Sequence, residues 1–149
     1  MQPGDDHPCG RAVAPVVVRD DFVRILDTDA TGRIYYGAAV GWLGQAAEDL
    51  LLPLGIGRVG DPPMAAPVRH LEVFYDGPLC LYDRYRHEAW ISHVGTSSFA
   101  ISHAVWVDGQ VRLRGRTTSV HLDQEGKPAP LPDAVRRSLL DVVLTTPPA

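Results

Sequence analysis

The sequence predicts an α+β domain, an antiparallel sheet of five strands with one long helix against a single face. Three observations carry this. Residues 37–52 hold the only long helical pattern, with Val40, Leu43, Ala46, Ala47, Leu50 and Leu51 recurring at three and four. Strand-like runs at 69–75, 82–91, 97–107 and 110–122 follow it with no second long helix between them. Asp108-Gly109 joins the last two runs, and a type I′ hairpin turn needs the positive φ that Asp and Gly tolerate.

Each element has a local reason. Residues 16–26 are β-branched and apolar around Arg19 to Asp21 and run straight into a polar turn, which predicts a first strand. Pro53 and Gly55 stop the helix. Its small residues Gly37, Ala38, Ala39, Gly41 and Gly44 predict a helix closely wrapped by its surroundings. In the third run Phe99, Ile101, His103, Val105 and Val107 alternate with smaller or more polar residues, which predicts one face on a core. Arg112, Arg114 and Arg116 share a face of the partner run, and residues 132–144 predict a short terminal helix. One domain over residues 15–144, with loose tails at 1–14 and 145–149, accounts for all 149 residues.

Composition excludes several classes. A net charge of −4 with scattered arginines gives no basic face for nucleic acid. The longest apolar stretch, residues 42–54, is broken by Gln45, Glu48 and Asp49 and falls short of the roughly 20 residues of a membrane span. The first eight residues carry two acids and two prolines, unlike a secretory leader, so a cytoplasmic location is expected. Cys9 and Cys80 make no disulfide framework, and the histidines lack zinc-type spacing, so neither a metal nor a cofactor is expected. Ser97 and Ser98 have no Gly-x-Ser-x-Gly context, which argues against a serine nucleophile.

Chemistry concentrates in Asp27-Thr28-Asp29-Ala30-Thr31-Gly32-Arg33-Ile34-Tyr35-Tyr36-Gly37, between the first strand and the long helix. A helix start presents unpaired N–H groups and about half a positive charge, suited to a developing oxyanion. A carboxylate just upstream is placed to attack the same carbonyl or to deprotonate water. Asp27 and Asp29 also fit simple turn and capping roles, and spacing alone leaves both readings open.

The runs LDTDATGRIYY, PVRHLEVFYDGPLCLYD and HVGTSSFAISH, with Ala47-Glu48 on the helix, resemble the 4-hydroxybenzoyl-CoA thioesterase family of hotdog-fold proteins, including its acyl-CoA and dihydroxynaphthoyl-CoA members. The resemblance implies a five-stranded sheet wrapped around a central helix and hydrolysis of acyl- or aroyl-CoA. It places the catalytic carboxylate on Asp29 and the oxyanion donor on the backbone N–H of Tyr36, with Gly32, Tyr35 and Glu48 supporting and Asp27 structural. Substrate contacts fall on His70, Thr96, Ser97 and Ser98. Where the bacterial enzyme carries basic residues for the nucleotide phosphates, this chain has Gly95, Thr96 and Ser97. The resemblance also implies a homodimer or homotetramer with sites between subunits. Two alternatives keep the fold: release of a polyketide or aryl intermediate from acyl carrier protein, and a non-catalytic module that binds acyl thioesters. A hotdog dehydratase needs a histidine near the helix, and none occurs between His7 and His70.

Overall fold

The computed structural model describes residues 16–56 and 64–148. The expected tail at 1–14, with Cys9, lies outside the described residues, as does the stretch 57–63 of the Gly/Pro-rich loop after the helix. Residues 145–148 carry neither helix nor strand.

Five antiparallel strands form one sheet: β1 (Val16–Phe22), β2 (Val68–Tyr75), β3 (Arg84–Val94), β4 (Ser98–Val107) and β5 (Gln110–Val120). Their spatial order is β1-β3-β4-β5-β2, so the first two strands of the sequence occupy opposite edges. Helix α1 (Tyr36–Leu51) lies on one face and α2 (Asp133–Val142) closes one end of the core. This is the predicted architecture, with boundaries moved by a few residues. The first strand ends at Phe22 rather than at residue 26, because Val23 turns its N–H to Asp83 O and a 3-10 turn forms at Ile25–Asp27. Among the described residues no helix is long and apolar enough to cross a membrane.

Side chains directly opposite across antiparallel strands share a face, so the register fixes which residues meet the helix. On the inner face Ile91 of β3 pairs with Ile101 of β4, His87 with Val105 and through it Leu113 of β5, and Ala89 with His103 and through it Gly115. Helix α1 meets them with Ala39, Trp42, Leu43, Ala46 and Leu50. The approach is close at Gly115, where an added Cβ would stand 2.5 Å from Leu43 Cδ2. The helix does not show the expected all-round wrapping. Val40 is 43 % exposed, and Cβ atoms added at Gly41 or Gly44 would meet nothing within 4 Å. A 3.6-residue repeat allows several apolar stripes here, and the sheet covers only one of them.

A polar layer crosses this core. His87 and His103, each 1 % exposed, lie 3.1 Å apart from Nε2 to Nδ1, while His103 Nε2 has no partner among the described residues. Arg19, opposite His87 on β1, closes the layer at the sheet edge by reaching Asp49 and Gln45 of α1. Burial pushes His87 down to about 4 and His103 to about 3 from an ordinary 6.5, with Arg19 adding to the first and His87 to the second. The folded chain therefore refuses protons that the unfolded chain accepts near 6.5. Stability present above pH 6.5 is lost as the pH falls below it, toward about 4 for His87 and about 3 for His103. Urea midpoints at pH 7.5 and pH 5 are expected to show this loss, and a His87→Leu/His103→Leu double substitution is expected to flatten it; an unchanged slope in that variant would assign the loss to other groups.

Candidate active site

The chain between β1 and α1 is fastened by backbone pairing on two sides. Asp29 N–H donates to Arg33 O (2.8 Å) and Gly32 N–H to Asp29 O (3.1 Å), closing a tight turn in which Gly32 takes φ +75°. On the far side Ile34 N–H donates to Leu79 O (2.8 Å) and Leu81 N–H to Gly32 O (2.9 Å), with Leu79 fully buried as the anchor. Tyr82, next in the chain after Leu81, holds φ +69°, a conformation that costs a bulky side chain roughly 1 kcal/mol or more.

Asp27 fixes this junction to the helix. Its Oδ2 accepts from Arg24 N–H (2.8 Å) and its Oδ1 from Trp42 Nε1 (3.3 Å), while the Trp42 ring stacks on Tyr85 at 4.4 Å. Burial first, then Asp21 and Asp27, push the Tyr85 phenol up to about 12, so it stays neutral. Both carboxylate oxygens of Asp27 are thus engaged within the chain. From the sheet edge, Tyr75 Oη donates to Tyr36 O (2.6 Å) and ties β2 to the first turn of the helix.

The helix itself starts at Tyr36, one residue before the predicted position. Its N-cap is Tyr35, in extended conformation with no side-chain cap, where Ser, Thr, Asp or Asn would ordinarily satisfy a first-turn N–H. The Tyr35 ring lies over Gly37, since an added Cβ there would come within 2.7 Å of Tyr35 Cε1. The Tyr36 ring lies 4.6 Å from that of Tyr35, and both are exposed. An aromatic N-cap leaves the amides of the helix start to other partners.

Asp29 is exposed, and its Oδ1 accepts from both Thr31 N–H (2.7 Å) and Thr31 Oγ1 (2.6 Å). The Thr31 hydroxyl, then the Thr31 amide, hold its carboxyl below the usual carboxylate range, so it is ionised at neutral pH. Among the described residues nothing occupies Oδ2. Asp29 thus has the geometry of a turn residue with one carboxylate oxygen left uncommitted among the described residues. Thr31, absent from the residues singled out by sequence, sets the ionisation of Asp29; an Asp-x-Thr turn is its only signal.

The remaining predicted site residues lie elsewhere in the single chain. Glu48 is exposed and twelve residues along α1 from Tyr36, about 18 Å by helical rise. His70 opposes Thr118, on the face away from α1, with its Nε2 3.7 Å from Glu72. Thr96, Ser97 and Ser98 are at the β3–β4 turn, the end of the sheet opposite to Asp29. A cleft of about 540 Å³ lined by Asp20, Arg84, Glu88, Trp106 and Asp108 includes none of these residues. Asp29, Tyr35 and Tyr36 therefore line an open surface of one chain, not an enclosed pocket. Among the described residues no group of three His, Cys, Asp or Glu side chains is placed to hold a metal.

A five-stranded antiparallel sheet with one long helix on its face is the hotdog fold, shared with solved thioesterase structures. Residues 23–139 match the Thioesterase-like superfamily, and the chain belongs to that family. It is 29 % identical over 135 residues to a 1,4-dihydroxy-2-naphthoyl-CoA hydrolase of Synechococcus sp. (strain CC9605), covering 85 % of this chain and 91 % of that one. Its fold matches a 1,4-dihydroxy-2-naphthoyl-CoA thioesterase from Synechocystis with a TM-score of 0.75 at 21 % identity, over 85 % of this chain and 96 % of the other. It likewise matches a thioesterase from Thermus thermophilus, solved in complex with coenzyme A and Zn, with a TM-score of 0.75 at 24 % identity, over 89 % and 96 % of the two chains.

Removal of one hydroxyl tests the local electrostatics. Thr31→Val is expected to raise the Asp29 pKa toward the ordinary 3.8, read as an upward shift of its carboxyl titration by NMR. A titration that does not move would show that the Thr31 hydroxyl does not hold the carboxylate.

Proposed function

We infer that the chain hydrolyses aroyl- or acyl-CoA thioesters, with Asp29 as the essential carboxylate and the N–H of Tyr36 as the oxyanion donor. The observation that carries this is the run into the helix: an ionised acid whose second oxygen is uncommitted among the described residues, seven residues before an uncapped first turn. The thioester carbonyl oxygen rests against Tyr36 N–H, a contact of a kind typically worth roughly 3 kcal/mol in the transition state. Asp29 attacks the carbonyl carbon to give an anhydride that water opens, or takes a proton from the attacking water. In both routes the C–S bond breaks and a thiolate leaves, to be protonated by solvent. A thiolate is a good leaving group, so neither a metal nor a serine nucleophile is needed.

An aromatic acyl group is favoured over an alkyl one. The exposed rings of Tyr35 and Tyr36 flank the helix start and offer a surface for offset stacking. The dihydroxynaphthoyl-CoA hydrolase relative supports the same choice. Asp29→Asn keeps the shape and removes the charge; thiol release from naphthoyl-, benzoyl- and short-chain acyl-CoA is expected to fall about 10²- to 10⁴-fold. Hydrolysis at the original rate by that variant would sink the assignment, and equal rates on carrier-bound and CoA-bound acyl groups would remove the preference for CoA.

The open site supports a dimer. Among the described residues strand β2 pairs with β5 on one side only, and its other edge runs beside exposed Val68, Leu71, Phe74 and Tyr75. Two β2 edges meeting antiparallel around a twofold axis extend the sheet and set the exposed face of α1, with Gly41 and Gly44, against a second wall. That pairing also turns the β3–β4 end of one chain toward the Asp29 end of its partner. Sedimentation at micromolar concentration is expected to give a dimer or tetramer, and an active monomer would overturn the shared site.

A further inference from the structure

Of the three arginines that alternate along β5, Arg114 takes hold of the neighbouring edge strand. Its Nε donates to Asp76 Oδ2 (2.6 Å) and its Nη2 to Asp76 Oδ1 (3.0 Å), so both carboxylate oxygens are engaged by one guanidinium fork. The same guanidinium carbon lies 5.0 Å from the centre of the Phe74 ring, within cation–π reach. The hydrogen bonds between them hold the Asp76 carboxyl below its ordinary range and the Arg114 guanidinium above its own. Behind the pair, the N–H groups of Asp76 and Gly77 both donate to Arg112 O (2.9 and 3.1 Å), which fixes the way the chain leaves β2.

Arg114 therefore grips the residue on either side of Tyr75. Tyr75 itself stands opposite the fully buried Leu113, so its ring is on the face that carries the helix, where its hydroxyl donates to Tyr36 O (2.6 Å). Burial raises the phenol above its ordinary 10, so it is a donor at neutral pH. Tyr36 Cα joins two peptide planes, one holding its N–H and the other its C=O. The first is set by Tyr35 O accepting from Ala38 N–H (2.9 Å), after Tyr35 N–H has donated to Asp27 O (2.7 Å). The second is set by Tyr75. A helical carbonyl accepts the N–H four residues on and has a second lone pair free, which the phenol takes. Helix ends fray, and a first turn without a side-chain cap has the more need of an anchor outside the helix.

We propose that Tyr75 is a positioning residue for thioester hydrolysis: gripped through Asp76 by Arg114, it aims the Tyr36 N–H at the carbonyl oxygen of the substrate. This rests on the hydrolase reading above. Tyr75 acts through the backbone of Tyr36 and contributes no proton to the reaction. A strand bonded along its length to β5 is a stiffer support than a loop, so the direction of the donor is fixed before substrate arrives. The grip on Asp76 is exposed and adds little to overall stability, so its service is to the geometry of the helix start rather than to the fold.

Tyr75→Phe removes only the hydroxyl. In the full chain it is expected to lower kcat for benzoyl-CoA about tenfold with KM little changed, the pattern of an interaction that matters in the transition state alone. Amide hydrogen exchange, followed by NMR, is expected to quicken about threefold or more at Tyr36, Gly37 and Ala38 while Leu43 and Leu50 keep their rates. Asp76→Asn keeps the shape of the grip and weakens it; kcat is expected to fall about threefold, and a Tyr75→Phe/Asp76→Asn double variant to be no slower than Tyr75→Phe alone. An unchanged kcat in Tyr75→Phe, first-turn exchange that does not move, or losses that multiply in the double variant would overturn the proposal. The two readings fail separately: a wild type that releases thiol at the same rate as Tyr75→Phe loses only the positioning role, whereas a wild type that releases no thiol sinks the hydrolase and, with it, any service of Tyr75 to the reaction.

Discussion

Asp27 joins the exit of the first strand to the central helix, one carboxylate oxygen on the Arg24 amide and the other on the Trp42 indole. The chain between them is short, so this clamp sets where the tight turn at Asp29 to Gly32 falls relative to the first helical amides. Backbone bonds to the loop at Leu79 and Leu81 hold the turn from the opposite side. Tyr75 completes the frame by fixing the Tyr36 carbonyl from the sheet edge. The active carboxylate and oxyanion donor of the proposed mechanism are therefore positioned by groups that never meet substrate, and much of the positioning is backbone.

An uncapped helix start is a cost unless something uses it. The N-cap of α1 is Tyr35 rather than a Ser, Thr, Asp or Asn, and a missing side-chain cap typically forfeits about 1 kcal/mol. Burial of Ala39, Trp42, Leu43, Ala46 and Leu50 against the sheet offsets it, since most helix stability comes from the packed face. The core makes a second concession in its His87–His103 layer, where one ring nitrogen stays unpartnered at a cost of roughly 1–3 kcal/mol. Both features are tolerated because the inner face of the sheet is otherwise apolar and closely packed on the helix.

Much of this architecture was legible in the residues. The alternation through Phe99, Ile101, His103, Val105 and Val107 predicted the inner face of β4 correctly, and Asp108-Gly109 marked its hairpin. The side of the helix was harder: Val40 fits the apolar repeat as well as Leu43, yet the sheet covers Leu43 and leaves Val40 out. The site divided in a similar way. Asp29 and the helix start were visible as a motif, whereas Thr31, Trp42 and Tyr75 were not, because their contacts depend on turns and strands brought from elsewhere. His70 and Glu48 were singled out from a family pattern; in one chain the first faces away from the helix and the second stands about 18 Å along it from Tyr36.

The sequence by itself determined the α+β class, the single long helix, the hairpin at Asp108-Gly109 and the acid turn before the helix, because each follows from short-range periodicity and turn chemistry. Only the tertiary structure decided the strand order β1-β3-β4-β5-β2, which stripe of α1 is buried, and the approach of Arg136 to the β3–β4 turn. Those depend on which distant segments share a register and a face, and a local pattern of residues carries no record of that choice.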